Sequence, residues 1–157
     1  MLRHASFLEQ DLEYDDSDPA GFRSGVLHLT KALGAKDLAV KLMEIPPGEA
    51  LCPYHYEYEE EWLIVLEGSA RVRTPEGEQT LERGAVAAFP PGPEGAHKVS
   101  NGGEHTLRVI MFSSAREPSV AVYPDSDKIG VWTGNPDDSV ILHRRDGAVE
   151  YFEGERA

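Results

Sequence analysis

The chain has 157 residues, of which 28 are acidic and 15 basic, and its formal net charge is −13. This length suits a single domain with one core. The negative charge would repel nucleic acid and anionic membranes over most of the surface, so we exclude both as partners.

Two features bear on the cellular compartment. No apolar run approaches the roughly 20 residues that span a bilayer, and the N-terminal "MLRHASFLEQDLEYDD" turns acidic where a signal peptide is apolar. The single cysteine, Cys52, cannot form an internal disulfide, which fits a reducing compartment. The sequence therefore predicts a cytoplasmic protein.

The predicted elements begin with a polar N-terminal arm, residues 1–37, whose mixed periodicity allows a short helix within 27–35. A strand follows at 38–45. Proline and glycine then divide the chain into short alternating segments, which predict the strands "EWLIVLEG", "ARVRT", "EQTLE", "GAVAAFP", "HKVSN" and "TLRVIMFS". The intervening "TPEGE", "PPGPEG" and "NGGE" are typical of turns between antiparallel strands. We expect an all-β barrel or sandwich over residues 38–115 and a C-terminal arm over 116–157, both arms packing on the barrel within one domain.

The stretch "PYHYEYEEEW", residues 53–62, concentrates acids and aromatic residues around a histidine. Alternate side chains of a strand point to opposite faces, so an extended segment from 54 to 66 would align one set of residues on the barrel interior: His55, Glu57, Glu59, Glu61, Leu63 and Val65. Unpaired buried carboxylates are unfavourable by several kcal/mol or more. A divalent cation on this face would neutralise them. We expect Glu59 to lie where the strand bends between Glu57 and Glu61, and Glu59 and Glu60 to belong to a solvated acidic edge.

Two residue patterns identify a family resemblance. The first comprises Gly48, His55, Glu57, Glu61 and Gly68; the second comprises Gly84, Pro90, Gly92, His97 and Asn101. Together they resemble the two motifs of the cupin superfamily, over residues 45–113. The segment "YPDSDKIGV", residues 123–131, is similar to one in a group of small, functionally undefined bacterial cupins.

The resemblance implies a double-sheet β-barrel, or jelly roll, with a metal bound by three histidines and a glutamate. His55, Glu61 and His97 match this ligand set, whereas Glu57 stands where the family has its second histidine. The predicted metal site is therefore His55, Glu57, Glu61 and His97, close to the two-histidine, one-carboxylate set of non-haem iron sites. The ion would be Fe, Mn, Ni or Zn.

The predicted function is that of a metal-binding cupin acting on a small oxygen-rich molecule, with the metal as Lewis acid and template. Glu61 or Glu57 is the candidate catalytic proton shuttle. The reaction type, whether dioxygenase, isomerase or decarboxylase, stays open. The alternative is a non-catalytic cupin, either a metal-dependent small-molecule binder or a structural protein.

The remaining expectations concern residues around this site. We expect the tyrosines at 54, 56 and 58 to pack, Cys52 to be a buried apolar residue, and Arg71 and Arg73 to form surface salt bridges. Residues 62–66 are apolar on both strand faces. A homodimer with two-fold symmetry, in which residues 1–40 pack on the barrel, would cover the outer face.

Overall fold

The alternating segments form antiparallel strands. The computed structural model describes residues 1–8, 11–144 and 146–156. Its elements are β1 (Glu13–Tyr14), β2 (Gly25–His28), α1 (Leu29–Leu33), β3 (Leu38–Ile45), β4 (Tyr56–Glu57), β5 (Glu61–Glu67), β6 (Ser69–Thr74), β7 (Gly77–Glu82), β8 (Val86–Phe89), β9 (Lys98–Asn101), β10 (Leu107–Ser114), β11 (Ser119–Tyr123), β12 (Lys128–Trp132) and β13 (Val140–His143). Short 3-10 helices occupy Pro93–Gly95, Pro124–Ser126 and Pro136–Asp138. The all-β fold class is therefore confirmed.

Three sheets build the barrel. A six-stranded sheet has the order β1-β2-β3-β10-β5-β8, a four-stranded sheet β13-β12-β11-β4, and a three-stranded sheet β7-β6-β9. An isolated antiparallel bridge between His55 and His97 connects the start of β4 with the start of β9. The two smaller sheets thus continue each other, and together they form the layer opposite the larger sheet.

The main core lies between these layers. Its buried members are Ile45, Leu63, Val65, Ala70, Val72, Phe89, Val99, Leu107 and Val109. They come from alternate positions of their strands, so each strand turns one face to the core and the other outward. Full burial of one such aliphatic side chain contributes about 1.5–3 kcal/mol. The core fixes the register of the strands that carry the candidate site.

The predicted elements agree closely with the observed ones. The short helix α1 and the strand β3 lie within the ranges expected for them, and the six quoted segments become β5 to β10. The division into two arms and a barrel stays a prediction. Strands from all three ranges share sheets: β2 pairs with β3, and β11 pairs with β4. Within the described residues, none of the helices is long and apolar enough to cross a membrane.

The stretch from residue 54 to 66 is not one continuous strand. β4 ends at Glu57, and residues 58–60 form a bend before β5 begins at Glu61. The expected inward face is kept by Leu63 and Val65, which are fully buried. On the outer face, Trp62, Ile64 and Leu66 are only half-buried, and Trp62 stacks on Phe112 with ring centroids 5.8 Å apart.

Candidate metal centre

His55 and His97 face each other across the bridge that connects the two smaller sheets. The His55 N–H donates to the His97 carbonyl at 3.1 Å, and the His97 N–H donates to the His55 carbonyl at 2.7 Å. Their ring centroids lie 4.8 Å apart. Two residues 42 positions apart in the sequence are thereby fixed side by side by backbone hydrogen bonds alone.

The same nitrogen of each imidazole is held by a backbone carbonyl. His55 Nδ1 lies 3.0 Å from the Pro53 oxygen, and His97 Nδ1 lies 2.9 Å from the Gly95 oxygen. A carbonyl oxygen only accepts hydrogen bonds, so each Nδ1 carries the proton and each Nε2 presents a lone pair. This tautomer is the one that binds a metal through Nε2.

His97 is the most buried member of the site, and only 1% of its side chain is exposed. Its ring stacks on Phe89 with centroids 3.7 Å apart and planes 9° apart. Burial lowers the pKa of His97 to about 4, while the Gly95 hydrogen bond opposes this shift and the neighbouring His55 adds to it. Nε2 of this neutral ring is buried without a hydrogen-bond partner among the described residues.

The loop before His97 depends on glycine at two positions. Gly92 has a φ of +85°, which strains any residue with a side chain. A Cβ atom at Gly95 would overlap the carbonyl oxygen of Pro90. The Gly92 N–H donates to the Glu57 carbonyl at 2.7 Å, which ties this loop to β4. The segment "FPPGPEG" is therefore the rigid corner that sets the position of His97.

Glu61 opens β5 and points its carboxylate between the two histidines. Its Oε2 lies 3.7 Å from His55 Nε2 and 3.7 Å from His97 Nε2. The ligand atoms of His55, Glu61 and His97 all lie within 4.8 Å of one another. The structure thus brings three of the four predicted metal ligands into one group.

Glu57 lies beside this group, with its Oε1 4.0 Å from His55 Nε2. Burial raises the pKa of Glu61 to about 8, and the charge of Glu57 adds to that shift while Lys41 opposes it. The pKa of Glu57 is also raised, mainly by burial. Burial therefore disfavours the ionised form of both carboxyl groups when no cation is present. The imidazole rings are neutral, so they provide no positive charge to stabilise an ionised carboxylate beside them.

Cys52 is closer to the site than its predicted role as an apolar filler suggests. Its Sγ lies 3.5 Å from His55 Nδ1, and Cys52 lines the same cavity as His55 and His97. Burial, followed by the charges of Glu61 and Glu57, raises the pKa of Cys52 to about 12. The sulfur of the metal-free protein is thus a neutral thiol near neutral pH.

The cluster opens into two connected cavities. An inner chamber of about 490 Å³ contains His55, His97 and Cys52 in its walls. An outer chamber of about 610 Å³ extends from it towards residues 113–119 and 132–139. Six residues line both chambers: Lys41, Glu57, Glu61, Met111, Ser119 and Trp132. The two acids therefore stand at the passage between them.

Sequence reasoning missed several of the wall residues. Tyr123 stacks on His55 with ring centroids 5.9 Å apart and lines the inner chamber. Burial, then the charges of Cys52, Glu57 and Glu61, raises the pKa of Tyr123 to about 12, so its hydroxyl remains protonated. Tyr123 opens the "YPDSDKIGV" segment. Its position in that segment was the available signal, but no metal-ligand pattern marked it.

The other acids of the stretch lie outside the cluster. Glu59 accepts a hydrogen bond from the Ser114 hydroxyl and lies 4.0 Å from the Arg116 guanidinium. Glu60 accepts a hydrogen bond from Trp62 Nε1 at 2.7 Å. The bend at residues 58–60, expected at Glu59, thus turns the side chain of that residue away from the interior face.

The expected packing of the three tyrosines and the expected salt bridges of the two arginines are each observed only in part. Tyr54 and Tyr56 are buried as expected, whereas Tyr58 is exposed. Arg73 forms the expected salt bridge, at 2.6 Å to Asp125, and its guanidinium lies over the Tyr54 ring. Arg71 makes no ion pair with the described residues; its Nε donates to Ser100 at 3.5 Å.

Comparison with known proteins gives a family match. Residues 41–113 match the family model of the cupin domain. No curated protein matches the sequence.

Solved structures give the fold. A predicted sugar phosphate isomerase from Acidithiobacillus ferrooxidans has a TM-score of 0.79 and 24% identity over 91% of each chain. A cupin-superfamily sugar phosphate isomerase from Silicibacter pomeroyi has a TM-score of 0.75 and 21% identity over 89% of this chain and 93% of that one. A predicted oxalate decarboxylase from Thermotoga maritima has a TM-score of 0.59 and 20% identity over 73% and 98% of the two chains. The expected jelly-roll barrel is thereby confirmed, and the resemblance to the cupin family is borne out by the family model over residues 41–113.

Proposed function

We propose that His55, Glu61 and His97 bind a divalent metal ion, with Glu57 as a fourth ligand. The observation that carries the proposal is the buried Nε2 of His97, which lacks a hydrogen-bond partner among the described residues. Buried polar atoms in proteins are nearly always paired. A bound cation would pair with this lone pair and would neutralise the two carboxylates beside it.

The donor set supports a particular range of metals. Two imidazole nitrogens with one or two carboxylate oxygens resemble the sites that hold Fe(II) with open positions. A second carboxylate in place of a histidine makes the site harder, which favours Mn(II) or Fe(II) over Ni(II) or Zn(II). Cys52 is not counted as a soft ligand, because its Sγ lies beside His55 Nδ1, whereas the proposed ligand group uses the histidine Nε2 atoms.

When bound, the metal supplies Lewis-acid chemistry that polarises an oxygen atom of the substrate. The chain itself supplies proton transfer. A carboxylate beside the substrate can accept and return a proton, and Glu57 and Glu61 both stand at the passage between the chambers. We assign the proton shuttle to Glu61, or to Glu57 where Glu57 does not coordinate the metal. Tyr123, protonated beside them, donates a hydrogen bond to substrate oxygen.

These groups suit an isomerisation of a small, oxygen-rich hydroxy-carbonyl compound. One carboxylate removes a proton from the hydroxyl-bearing carbon beside the carbonyl and returns it to the carbonyl carbon, while the hydroxyl proton passes to the former carbonyl oxygen. The hydroxyl and carbonyl groups thereby exchange places, and the reaction needs no oxidant. The two most similar structures described above are named as sugar phosphate isomerases, which supports this class. Their identities of 24% and 21% support the class through a shared fold only.

Metal analysis of purified variants tests the metal site. We expect His97→Ala and Glu61→Ala to lose most of the bound metal while circular dichroism shows a folded barrel. Glu60→Ala is the matched control, because Glu60 bonds to Trp62 and lies outside the cluster. Equal loss of metal from Glu60→Ala and Glu61→Ala would contradict the assignment.

Isotope exchange tests turnover. Metal-replete protein is incubated in D₂O with a panel of aldoses, ketoses and their phosphates, and proton NMR follows deuterium at the carbon beside the carbonyl. We expect exchange that depends on Glu57 and Glu61 and disappears in their glutamine variants. Metal-replete protein that catalyses no exchange would instead favour the non-catalytic, metal-dependent binder.

A further inference from the structure

Lys41 is an exposed residue on the strand face of β3 that turns inward further along the strand. On β3, alternate residues turn to the interior, and Met43 and Ile45 on that face pack in or against the apolar core. Lys41 follows at the next position of the same face, and it lines both chambers. It introduces a positive charge into the passage of a protein with 28 acids and 15 bases.

The side chain of Lys41 has no direct partner in the part of the chain that the structure describes. It makes no hydrogen bond there and no ion pair within 4.0 Å. It lines both chambers together with Glu57 and Glu61 and makes no ion pair with either. Three N–H donors of one ammonium group are therefore available to a ligand.

Two hydroxyl groups near Lys41 are also unengaged. Ser113 lines the outer chamber and Ser119 lines both, and neither side chain makes a hydrogen bond with the described residues. Ser113 pairs with Ala39 in the register between β10 and β3. It is thus a diagonal neighbour of Lys41 on one sheet face, about 7–8 Å away between Cα atoms.

Other serines of the outer chamber do have hydrogen-bonded hydroxyl groups. The Ser114 hydroxyl donates to Glu59, and the Ser139 hydroxyl donates to the Asn135 carbonyl at 2.9 Å. Both also line the outer chamber. Of the four serines that line the outer chamber, Ser113 and Ser119 are thus the two whose hydroxyl groups are unengaged among the described residues.

Arg116 adds a second cation at the outer end. It lines the outer chamber, and its side chain is 78% exposed. Its Nε lies 4.0 Å from Glu59 Oε2, beyond hydrogen-bond distance. Lys41 and Arg116 thus lie along a wall that also carries two free hydroxyls. An ammonium group, a guanidinium group and hydroxyl donors are the groups that proteins use to bind phosphate.

We propose that the outer chamber binds the phosphate group of a phosphorylated substrate through Lys41, Ser113 and Ser119, with Arg116 at the rim. This inference rests on the proposed function, because the phosphate would orient the rest of the substrate towards the carboxylates at the passage. Lys41 determines specificity and takes no part in proton transfer. The substrate class is therefore a small phosphate monoester that carries hydroxyl and carbonyl groups.

Calorimetric titration with inorganic phosphate tests the subsite, on protein as purified and after treatment with a chelator. A charge-assisted hydrogen bond is strong enough that its loss should raise the dissociation constant about tenfold or more in Lys41→Gln. Lys41→Arg should retain binding, and Ser113→Ala should show a smaller loss. Arg83→Gln is the control, since it removes one positive charge from a residue that lines neither chamber.

Each outcome has a consequence. No phosphate binding by the wild type, or equal affinities in Lys41→Gln and Arg83→Gln, would overturn the subsite. Acetate that binds as tightly as phosphate, with the same dependence on Lys41, would replace the phosphate assignment with a carboxylate. Metal content is measured in parallel. Metal without Lys41-dependent phosphate binding refutes the subsite alone, whereas phosphate binding by a chain that never holds metal refutes the proposed function alone.

Discussion

Glu61→Gln should stabilise the metal-free protein while it removes a metal ligand. Burial, with the charge of Glu57, raises the Glu61 pKa from its ordinary 4.5 to about 8. A group with a raised folded-state pKa contributes stability below the unfolded pKa of 4.5, and that contribution is lost as pH rises to about 8. At about 1.4 kcal/mol per pKa unit, the loss is about 3 kcal/mol at pH 7 and approaches about 5 kcal/mol above pH 8. Since 15% of the side chain is exposed, these magnitudes are upper values.

Urea unfolding with chelator present measures this effect. We expect the difference in the free energy of unfolding between Glu61→Gln and the wild type to grow with pH, by up to about 1.4 kcal/mol per unit between about pH 5 and pH 8. Glutamine mimics the neutral acid, so the two proteins should converge in stability near pH 4. The reasoning fails if the two curves run parallel across this range. Saturating metal should reverse the order of stabilities.

Three further predictions concern the metal and the assembly. Chelation should lower the melting temperature of metal-loaded protein, because a ligand at a hundredfold excess over Kd adds about 2.7 kcal/mol; an unchanged melting curve would contradict the metal site. Glu57→Gln should weaken the binding of every metal, and Glu57→His should shift the metal preference towards Ni(II) or Zn(II) in competition titrations. Wild-type affinities in Glu57→Gln would leave proton transfer as the role of Glu57. Light scattering should give a homodimer of twice the 17.3 kDa chain mass, whereas a monomer at micromolar concentrations would contradict the predicted dimer.

Strand positions were predictable because the pattern of side chains is local. Each segment of the barrel alternates apolar and polar residues between glycine or proline turns, and β6, with Ala70 and Val72 inside and Arg71 outside, shows the match. The pairing of His55 with His97 was not a local feature. It became predictable only through the resemblance of two spaced motifs.

The bend at residues 58–60 shows where local alternation fails. Counting alternate residues puts Glu57, Glu59 and Glu61 on one face, yet Glu59 bonds to Ser114 on β10. A hydrogen bond to a residue 55 positions away leaves no trace in the spacing of the stretch itself. The cluster survives the bend because β5 restarts at Glu61 with its side chain inward.

Lys41 and Tyr123 were beyond prediction for a different reason. Each lies in a strand without a metal-ligand motif. Each reaches the site only because its strand pairs with strands that are distant in the sequence. Tyr123 meets His55 because β11 pairs with β4, with Val122 opposite Tyr56. Pairing between strands this distant in sequence follows from the whole fold and not from either segment.

The unfavourable charges at the site argue for a ligand more strongly than any single contact does. Without a cation, the chain keeps a buried unpaired nitrogen on His97 and two carboxyls whose pKa values are raised by burial. Lys41 lowers both of those pKa values, yet it forms no ion pair with either acid. A protein selected for stability alone would fill this space with apolar side chains, since such replacements of buried polar groups are often stabilising. All four groups border connected chambers, which is what a binding site requires: a cation would pair with the nitrogen and the carboxylates, and an anion would pair with Lys41.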